Sequence, residues 1–471
     1  MADVGVSVAG MSRAETTRNS LVRRNRGAAL ALAMSLIAIR AYADGAAADL
    51  LSVCNDALKY NPQYNAAQAE YRAALQLEPL AEGKLFPQLT AEVGDDQVHE
   101  SVNGDYYGVR NIDRHDTFNR YFYGVRLSQA LFRGDLFSSA TQAEAKVKQA
   151  RLVMDAAQGD LLVGVAEAYF SLLAAKDRLQ FATAKASALL QQLNQIRGRT
   201  AAGLATDADL AAAQASQALA AANRLQAENG VEVAAAQLEM LAGRAYPQIK
   251  LLPADVTLLA PQPADEKAWV AKAAEQNRGV LAQRAAVEVA RLENEKAHRL
   301  AWPAIDVVGV AYGLNNGGGI TGKRDETDQR IGLLLTLPIY SGGQLSAGMA
   351  QSAELQNRAE SLLSAAKSKA TLDTRLAYLN STAGLQKVAA LKRAVDAAVA
   401  SEETARGGYD SGIRTNADVL AAVEQRYQAE GEHSAARYKF LVDSLRLRQA
   451  SGSLSTADLS QINRLLRAAG S

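Results

Sequence analysis

The chain has 471 residues, 51 lysines and arginines, 50 acidic residues and a single cysteine. The formal net charge of +1, without a clustered basic segment, argues against a nucleic-acid partner. One cysteine cannot form a disulfide framework. Aromatic residues make up only 6% of the chain and alanine is abundant, a composition that favours closely approaching helices over a bulky globular core.

Residues 1–43 have the pattern of a secretory signal peptide. Three arginines precede an apolar run: Arg23, Arg24 and Arg26. The run over residues 27–39 is too short to cross a bilayer, and Ala41-Tyr42-Ala43 supplies the small side chains that a signal peptidase requires. We expect the mature protein to begin at Asp44, which an intact-mass measurement would check. An uncleaved N-terminal anchor is the alternative.

Cys54 follows Leu51-Ser52-Val53, a stretch that loosely resembles a lipoprotein signal. Val53 is too large for that signal, and Cys54 falls inside an amphipathic helical pattern from Asp49 to Tyr60. We therefore predict a buried free thiol rather than a lipid anchor.

Two halves of the chain share one plan, which we assign to residues 44–260 and 261–453, followed by a C-terminal tail over residues 454–471. The matching positions are Gly124, Leu131, Phe132 and Gly134 with Gly332, Ile339, Tyr340 and Gly342. Upstream, Phe86-Pro87-Gln88-Leu89 matches Trp302-Pro303-Ala304-Ile305 at a larger spacing. The halves therefore differ in length between Pro87 and Gly124, and the internal two-fold repeat predicts one continuous architecture.

The first repeat begins with a helical pattern over residues 49–84, interrupted near Asn61-Pro62 because proline fits the first turn of a helix. Alternating apolar and polar residues then predict a β-hairpin. The hairpin covers residues 86–134, with strands at 89–93 and 121–131 and a long polar loop at 94–120. The remaining elements are a long helix at 135–199, a tip at 197–210 and a short helix at 208–241.

The second repeat follows the same order. Its elements are a helix at 266–300, a β-hairpin at 303–341, a long helix at 344–406, a tip at 406–420 and a second short helix. The hairpin strands are predicted at 305–312 and 330–337, on either side of a glycine-rich loop at 313–328. At about 1.5 Å per residue each long helix would extend roughly 95 Å, so we expect coiled-coil-like packing.

Both tips have the residues of a helical hairpin turn. Gly407, Gly408 and Gly412 are predicted to give the left-handed or strained backbone that ends the long helix. Thr415 or Asn416 is a suitable N-cap for the next helix. The first tip aligns with the second, Gly203 with Gly412 and Asp209 with Asp418.

Each of the four strands has one apolar and one polar face, which is the pattern of a membrane barrel around a wet lumen. Four strands are too few to close a barrel, and open sheet edges are not tolerated in lipid. The hairpins must therefore be pooled among several copies of the chain. An ordinary soluble hairpin beside a helical bundle is the alternative.

The chain resembles the TolC family of bacterial outer-membrane channel-tunnels from about Leu50 to Gly452. Three motifs carry the resemblance: Leu-Phe-Pro-Gln-Leu entering a strand, Leu-Pro-Ile-Tyr-Ser-Gly-Gly leaving one, and Gly-Tyr-Asp-Ser-Gly-Ile-Arg-Thr-Asn-Ala-Asp-Val-Leu at the second tip. The resemblance implies an α+β membrane protein, in which three chains form a 12-stranded outer-membrane β-barrel continuous with a coiled-coil periplasmic tunnel.

The same resemblance implies an exit duct in the outer-membrane lipid. A homotrimer would work with an inner-membrane ABC transporter and a periplasmic membrane-fusion adaptor to carry a secreted polypeptide cargo. Within the family the likeness is greatest to members that serve type I protein secretion, and the member that exports an adenylate cyclase-haemolysin toxin is one candidate. A multidrug or small-molecule efflux duct and, in a different class, a periplasmic coiled-coil adaptor are the alternatives.

Candidate site residues follow from the tip motif. Tyr409 and Arg414 match the family's gate residues, and Asp209 matches their carboxylate partner, although the neighbouring threonine of the family is Ala208 here. Asp418 matches the first acidic ring at the constriction, and the second ring position is Ala421. The tip turns implied to dock the pump or adaptor are Gly203, Leu204, Gly412 and Ile413. Asp209 and Asp418 could instead be ordinary carboxylates at helix starts.

Catalysis has little support in the sequence. The four histidines, His99, His115, His298 and His433, lack metal-ligand spacing. Gly317-Gly318-Gly319 is not placed between a strand and a helix as a phosphate-binding loop requires. We therefore predict no enzyme activity, no cofactor and no metal site.

Overall fold

The computed structural model describes residues 47–467, so the predicted signal peptide and the start at Asp44 lie outside the described residues. The first repeat contains α1 (Leu50–Tyr60), α2 (Pro62–Ala74), α3 (Leu77–Gly83), β1 (Gln88–Tyr106), β2 (Val109–Phe132), α4 (Gly134–Ala201) and α5 (Asp207–Ala242). The second contains α6 (Glu266–Gln276), α7 (Arg278–Arg299), β3 (Ala304–Asn316), β4 (Arg324–Thr336), α8 (Gln344–Asp410) and α9 (Asn416–Ala450), followed by α10 (Thr456–Asn463).

The two long helices agree closely with the sequence prediction. Helix α4 has 68 residues and α8 has 67, which corresponds to roughly 100 Å each. Helix α4 packs along α5, and α8 packs along α9, so the long helices form two helical hairpins. We call α4 with α5 the outer hairpin and α8 with α9 the inner hairpin. None of the helices between residues 47 and 467 has both the length and the apolar character needed to span a bilayer.

Two asparagine side chains each connect the start of a shorter helix to the end of a helix that is distant in sequence. The Asn61 side chain caps α2 through its oxygen and donates through its nitrogen to the carbonyl oxygen of Leu241, near the end of α5, at 3.2 Å. Asn277 caps α7 in the same way and donates to the carbonyl oxygen of Ala450, the last residue of α9, at 2.8 Å. Because an amide offers an acceptor and a donor, one side chain satisfies orphan backbone groups of two helices. Asn277 also breaks the helix that the sequence predicted to be continuous over residues 266–300.

The main core surrounds the middle of α4, where this long helix is buried on nearly all sides. Its largest buried side chains are Tyr169, Phe170, Leu50, Leu172, Leu173, Leu238, Leu445 and Leu459. The Tyr169 hydroxyl donates to the carbonyl oxygen of Lys250 at 2.8 Å and so fixes the connector between the repeats. Cys54 lies in this core, 2% exposed, and burial raises the pKa of its thiol to about 12. The prediction of a buried free thiol is confirmed.

The strands form one antiparallel sheet in the order β1-β2-β3-β4. The prediction of a long loop at 94–120 is wrong, because β1 and β2 continue to a two-residue turn at Tyr107-Gly108. Both turn residues have positive φ, 47° and 82°, as a type I′ hairpin requires. The glycine-rich loop predicted at 313–328 is likewise reduced to residues 317–323. The first half is therefore longer than the second because its two paired strands, β1 and β2, are longer than β3 and β4.

Candidate site: an amphipathic sheet and a helical tip

One face of the sheet is predominantly apolar, and most of its apolar side chains are exposed. Its side chains lie in register across the four strands: Leu89, Ala91 and Val93 of β1, Tyr121, Tyr123, Val125 and Leu127 of β2, Ile305, Val307 and Ala311 of β3, and Ile331, Leu333 and Leu335 of β4. At roughly 3.3 Å per residue the band covers about 20 Å along β2 and about 13 Å along β1, which is comparable with the apolar band on membrane barrels. The tyrosines lie at its upper edge, where membrane barrels have an aromatic girdle.

The opposite face carries polar and charged side chains. They include Glu92, Asp96, Arg120, Arg126, Asp306, Asp328 and Arg330. Arg120 and Asp96 form an ion pair at 2.6 Å across β1 and β2. This face also carries apolar side chains, among them Val308, Val310 and Leu334, and its charged groups suit the water side of a wall between lipid and water.

The distribution of polar residues changes beyond Asp95, and this explains why the sequence prediction failed there. On the face that is apolar lower down, the protruding hairpin carries Gln97, His99, Ser101, Asn103, Asp113, His115, Thr117 and Asn119. Its few apolar side chains, among them Val98 and Phe118, lie on the other face. Because its apolar residues are few, the sequence of this segment resembles that of a loop. In the structure it forms a hairpin, which cross-strand hydrogen bonds such as that between His99 and Thr117 at 2.7 Å stabilise.

The run Gly317-Gly318-Gly319 holds the second hairpin's loop against the first hairpin. The Gly317 N–H donates to the carbonyl oxygen of Asn119 at 2.9 Å, and the Gly319 N–H donates to Asp116 at 2.8 Å. A Cβ on any of the three glycines would meet the first hairpin at 2.8 Å or less. These glycines therefore allow close backbone approach between the two loops.

The two tips end their long helices in the same way. Gly203 and Gly412 have φ of 73° and 74°, and the following N–H groups of Leu204 and Ile413 each donate at 2.8 Å to a carbonyl five residues earlier. This is the Schellman arrangement, in which the following apolar residue usually packs back on its own helix. Leu204 and Ile413 are instead 73% and 81% exposed. Each tip thus presents an apolar side chain to its surroundings.

The expectation that Gly407 and Gly408 end the helix is wrong, because both lie inside α8 and only Gly412 takes the left-handed conformation. Gly408 is needed for space, since a Cβ there would lie 2.6 Å from Cγ of Arg414. Of the two candidate N-caps, Thr415 is the one used.

Asp209 and Asp418 occupy equivalent capping boxes at the starts of α5 and α9. The Thr206 hydroxyl donates to Asp209 at 2.7 Å, and the Thr415 hydroxyl donates to Asp418 at 2.9 Å. In both cases the aspartate N–H donates back to the threonine hydroxyl oxygen. Hydrogen bonds from Thr415, first from its backbone N–H, hold the pKa of Asp418 below its ordinary value.

The predicted gate residues are close to the tip but are not joined to one another within one chain. The Asp209 carboxylate is occupied by its own capping threonine. Tyr409 packs against the outer hairpin, with the Arg199 guanidinium 4.6 Å from its ring centroid. The polar links near the tip that the sequence did not predict include Gln192 to Asn416 at 2.8 Å and Gln195 to Asp410 at 3.3 Å. For Gln192 the sequence signal is a glutamine between the apolar positions Leu189 and Leu193.

Comparison with known proteins decides the family. The family model described as outer membrane efflux protein matches residues 53–244 and 269–453. The chain belongs to this outer membrane efflux protein family. It is 30% identical over 426 residues to outer membrane protein TolC of Vibrio cholerae serotype O1, covering 90% of this chain and 95% of that protein. It is 28% identical to the alkaline protease secretion protein AprF of Pseudomonas aeruginosa, covering 88% and 87%.

Solved structures show the same fold. The Campylobacter jejuni CmeC outer membrane channel superposes with a TM-score of 0.74 at 15% identity, covering 89% of this chain and 90% of that chain. The open state of the Neisseria gonorrhoeae MtrE outer membrane channel superposes with a TM-score of 0.70 at 20% identity, covering 86% and 91%. At these identities the likeness concerns the fold alone.

As a TolC-type member of the outer membrane efflux protein family, the chain is an efflux or secretion duct of the Gram-negative outer membrane with a periplasmic tunnel. The amphipathic sheet supplies the membrane part and the helical hairpins supply the tunnel part. Membership of this family argues against the two alternative interpretations of the sequence, a periplasmic coiled-coil adaptor and a soluble hairpin beside a helical bundle. The predicted non-enzymatic role fits a family of channels.

Proposed function

We propose that the chain is the outer-membrane exit duct of a type I secretion system and carries a polypeptide from an inner-membrane ABC transporter and a periplasmic adaptor to the exterior. Two relatives support a polypeptide cargo by their names: AprF, and the proteases secretion protein PrtF of Dickeya chrysanthemi, which is 25% identical over 442 residues. A haemolytic toxin is the specific cargo that the sequence resemblance suggested.

Assembly as a homotrimer with twelve strands is the second part of the proposal. Residues 47–467 of one chain contribute four strands and leave β1 and β4 as free edges of the sheet. Lipid does not tolerate unpaired backbone groups, so β1 of one copy must pair with β4 of the next. Three copies give a barrel of ordinary size. Native mass spectrometry in detergent should show three copies, and a monomeric or dimeric pore would contradict the shared barrel.

Deleting the gene in its own host would distinguish polypeptide secretion from drug efflux as the function of the duct. We expect one or more polypeptides to disappear from the culture supernatant and to return when the wild-type chain is supplied. The efflux alternative is favoured by the outer membrane efflux protein BepC of Brucella suis, which is 25% identical over 403 residues. Unchanged supernatant proteins together with increased drug sensitivity would support efflux and reject polypeptide export.

Docking of the pump or adaptor is proposed at the tip turns, Gly203-Leu204 and Gly412-Ile413. The exposed apolar side chains of Leu204 and Ile413 support this placement, since apolar groups at an otherwise polar end commonly mark a protein contact. Photocrosslinking from either position in intact cells should capture an inner-membrane or periplasmic partner. Crosslinks to unrelated proteins only would argue against docking at the turns.

The gate is proposed to close where inner hairpins meet around the trimer axis. Asp418 would form a ring of carboxylates, and acidic rings favour cations in pores. Asp418→Asn should therefore reduce cation preference in a planar bilayer. Arg414→Ser with Tyr409→Phe should raise conductance by removing the pairing of Arg414 with Asp209 of a neighbouring helix and a hydrogen bond from Tyr409, each worth about 1 kcal/mol or less. Wild-type behaviour of both variants would place the gate elsewhere.

A further inference from the structure

Two carboxylates of the first hairpin hold the loop between β3 and β4, residues 317–323, which we call the mouth loop. Glu100 on β1 accepts a hydrogen bond from the Ile320 N–H at 2.7 Å, and Asp116 on β2 accepts one from the Gly319 N–H at 2.8 Å. Hydrogen bonds to carboxylates are stronger than those between neutral groups. The mouth loop is therefore fixed to the first hairpin through its own backbone.

The mouth loop lies on the inner side of the first hairpin. Successive residues of a strand face opposite sides of a sheet, so the two carboxylates share the polar face with Asp96 and Arg120. Phe118 lies on the same face, and a Cβ added to Gly318 would be 2.8 Å from its Cβ. In the proposed barrel this face borders the lumen. The mouth loop thus folds inward, towards the passage.

The exposure of the protruding part of the first hairpin agrees with this placement. Between residues 96 and 104 of β1, every even-numbered residue is partly buried and every odd-numbered residue is exposed. On β2 the residues that face the mouth loop, Asp116 and Phe118, are partly buried, whereas the neighbouring outward residues His115 and Thr117 are exposed. The inner face of the hairpin is therefore covered and the outer face is free.

The two carboxylates also give the mouth loop a reason to stay in this position. Glu100 and Asp116 lie directly opposite each other on neighbouring strands, an arrangement in which like charges destabilise a sheet. The donors that offset this repulsion are the two N–H groups of the mouth loop and the Arg114 guanidinium, which is 3.4 Å from Asp116. Displacing the loop removes two of these donors, so the carboxylate pair favours the inward position.

We propose that the mouth loop is a cover that narrows the exterior mouth of the duct, and that Glu100 and Asp116 hold it inward. This inference rests on the proposed duct function. In a trimer three mouth loops would lie at one level around the passage, and a polypeptide that leaves the duct would have to displace them. The cover lies at the end of the sheet away from the long helices, so it acts independently of the tip. Glu100 and Asp116 are positioning residues, because they hold the loop rather than the cargo.

Access to the lumen from outside can be measured by thiol labelling. Cys54, the one cysteine of the chain, is 2% exposed, so an added cysteine reacts against a low background. Ser128 lies on the polar face of β2, about 30 Å below Asn119 at roughly 3.3 Å per residue. Ser128→Cys therefore places a thiol in the lumen beneath the mouth loop. A polymer-linked maleimide added to intact cells reaches this thiol only through the mouth.

The test compares a small sulfonated maleimide with a maleimide on a polyethylene glycol chain. In the Ser128→Cys protein we expect the small reagent to react readily and the large reagent to react slowly. Adding Glu100→Ala and Asp116→Ala should raise the rate with the large reagent about tenfold and leave the rate with the small reagent unchanged. General unfolding would instead expose Cys54 and raise both rates, so the ratio of the two rates isolates movement of the cover.

Asp113→Ala is the matched control. Asp113 is a carboxylate on the outward face of the same hairpin and lies 3.5 Å from the His115 side chain. Its removal should leave the large-reagent rate of the Ser128→Cys protein unchanged. The cover is rejected if the double alanine variant keeps the slow rate, if both reagents already react equally fast without it, or if Asp113→Ala gives the same increase. Failure of the small reagent to label either protein would mean that the lumen is not open to the exterior, which contradicts the duct function as well as the cover.

Discussion

Replacing Gly452 with alanine should strongly impair assembly of the protein. Gly452 follows α9 with φ of 74°, and a Cβ there would lie 2.0 Å from the carbonyl oxygen of Gln276. The left-handed conformation alone costs about 1–2 kcal/mol for a residue with a side chain. The clash is with backbone, so it can be relieved only by moving α6 away from the end of α9. We expect a loss of about 3 kcal/mol or more per chain.

The measurement is the thermal unfolding midpoint of the purified protein, together with its yield in the outer-membrane fraction. Gly431→Ala is the matched control, because Gly431 lies inside α9 without a positive φ, and a Cβ added there would have nothing within 4 Å. In a helix interior alanine is favoured over glycine by roughly 0.5–1 kcal/mol. Equal effects of the two substitutions would contradict the importance of the close approach at Gly452.

Replacing Leu333 with arginine should prevent stable insertion into the outer membrane. On the apolar face of β4, Leu333 is the middle of three exposed apolar residues, with Ile331 and Leu335 on either side. An arginine on the lipid face of a membrane strand costs about 2–4 kcal/mol near the bilayer midplane, and every copy in the assembly would carry it. We expect loss of the protein from the outer-membrane fraction and a lower dissociation temperature in detergent.

The next residue provides the control for this prediction. Leu334 points to the opposite face of the sheet and lies across from Asp306 on β3. Leu334→Arg introduces the same charge in the same strand, but on the polar face and opposite a carboxylate. It should therefore insert at near wild-type levels. If Leu334→Arg is lost as completely as Leu333→Arg, the assignment of the lipid face is wrong.

The parts of the fold that sequence predicted well are those with a strong period or a repeat. The sequence predicts both ends of helix α4 to within two residues, because its apolar stripe is long and both ends carry stop signals. Residues 94–120 were misjudged because strand pairing there depends on cross-strand partners, such as Arg120 with Asp96, that no local period reveals. The sequence predicts the tip turn, but it does not show which of Gly407, Gly408 and Gly412 takes the left-handed conformation, because that depends on the φ angles.

The candidate site was only partly accessible to sequence. Asp209 and Asp418 were recognised as helix-start carboxylates or gate residues, and the capping geometry is visible in one chain. The pair of Gln192 and Asn416 could not be found, because the two residues are far apart in sequence and an isolated glutamine on a helix carries no pairing signal. Tertiary packing of the two hairpins alone brings them together.

The sheet changes from four strands to two at a defined height. Strands β3 and β4 stop at Asn316 and Arg324, the level of Arg120 and Asp96, while β1 and β2 continue to the turn at Tyr107-Gly108. Below this level lies the whole apolar band, and above it the outward side chains on the first hairpin are mainly polar. Free strand edges in the protruding part therefore face water, which satisfies their N–H and C=O groups. The height at which β3 and β4 end therefore coincides with the upper boundary of the apolar band.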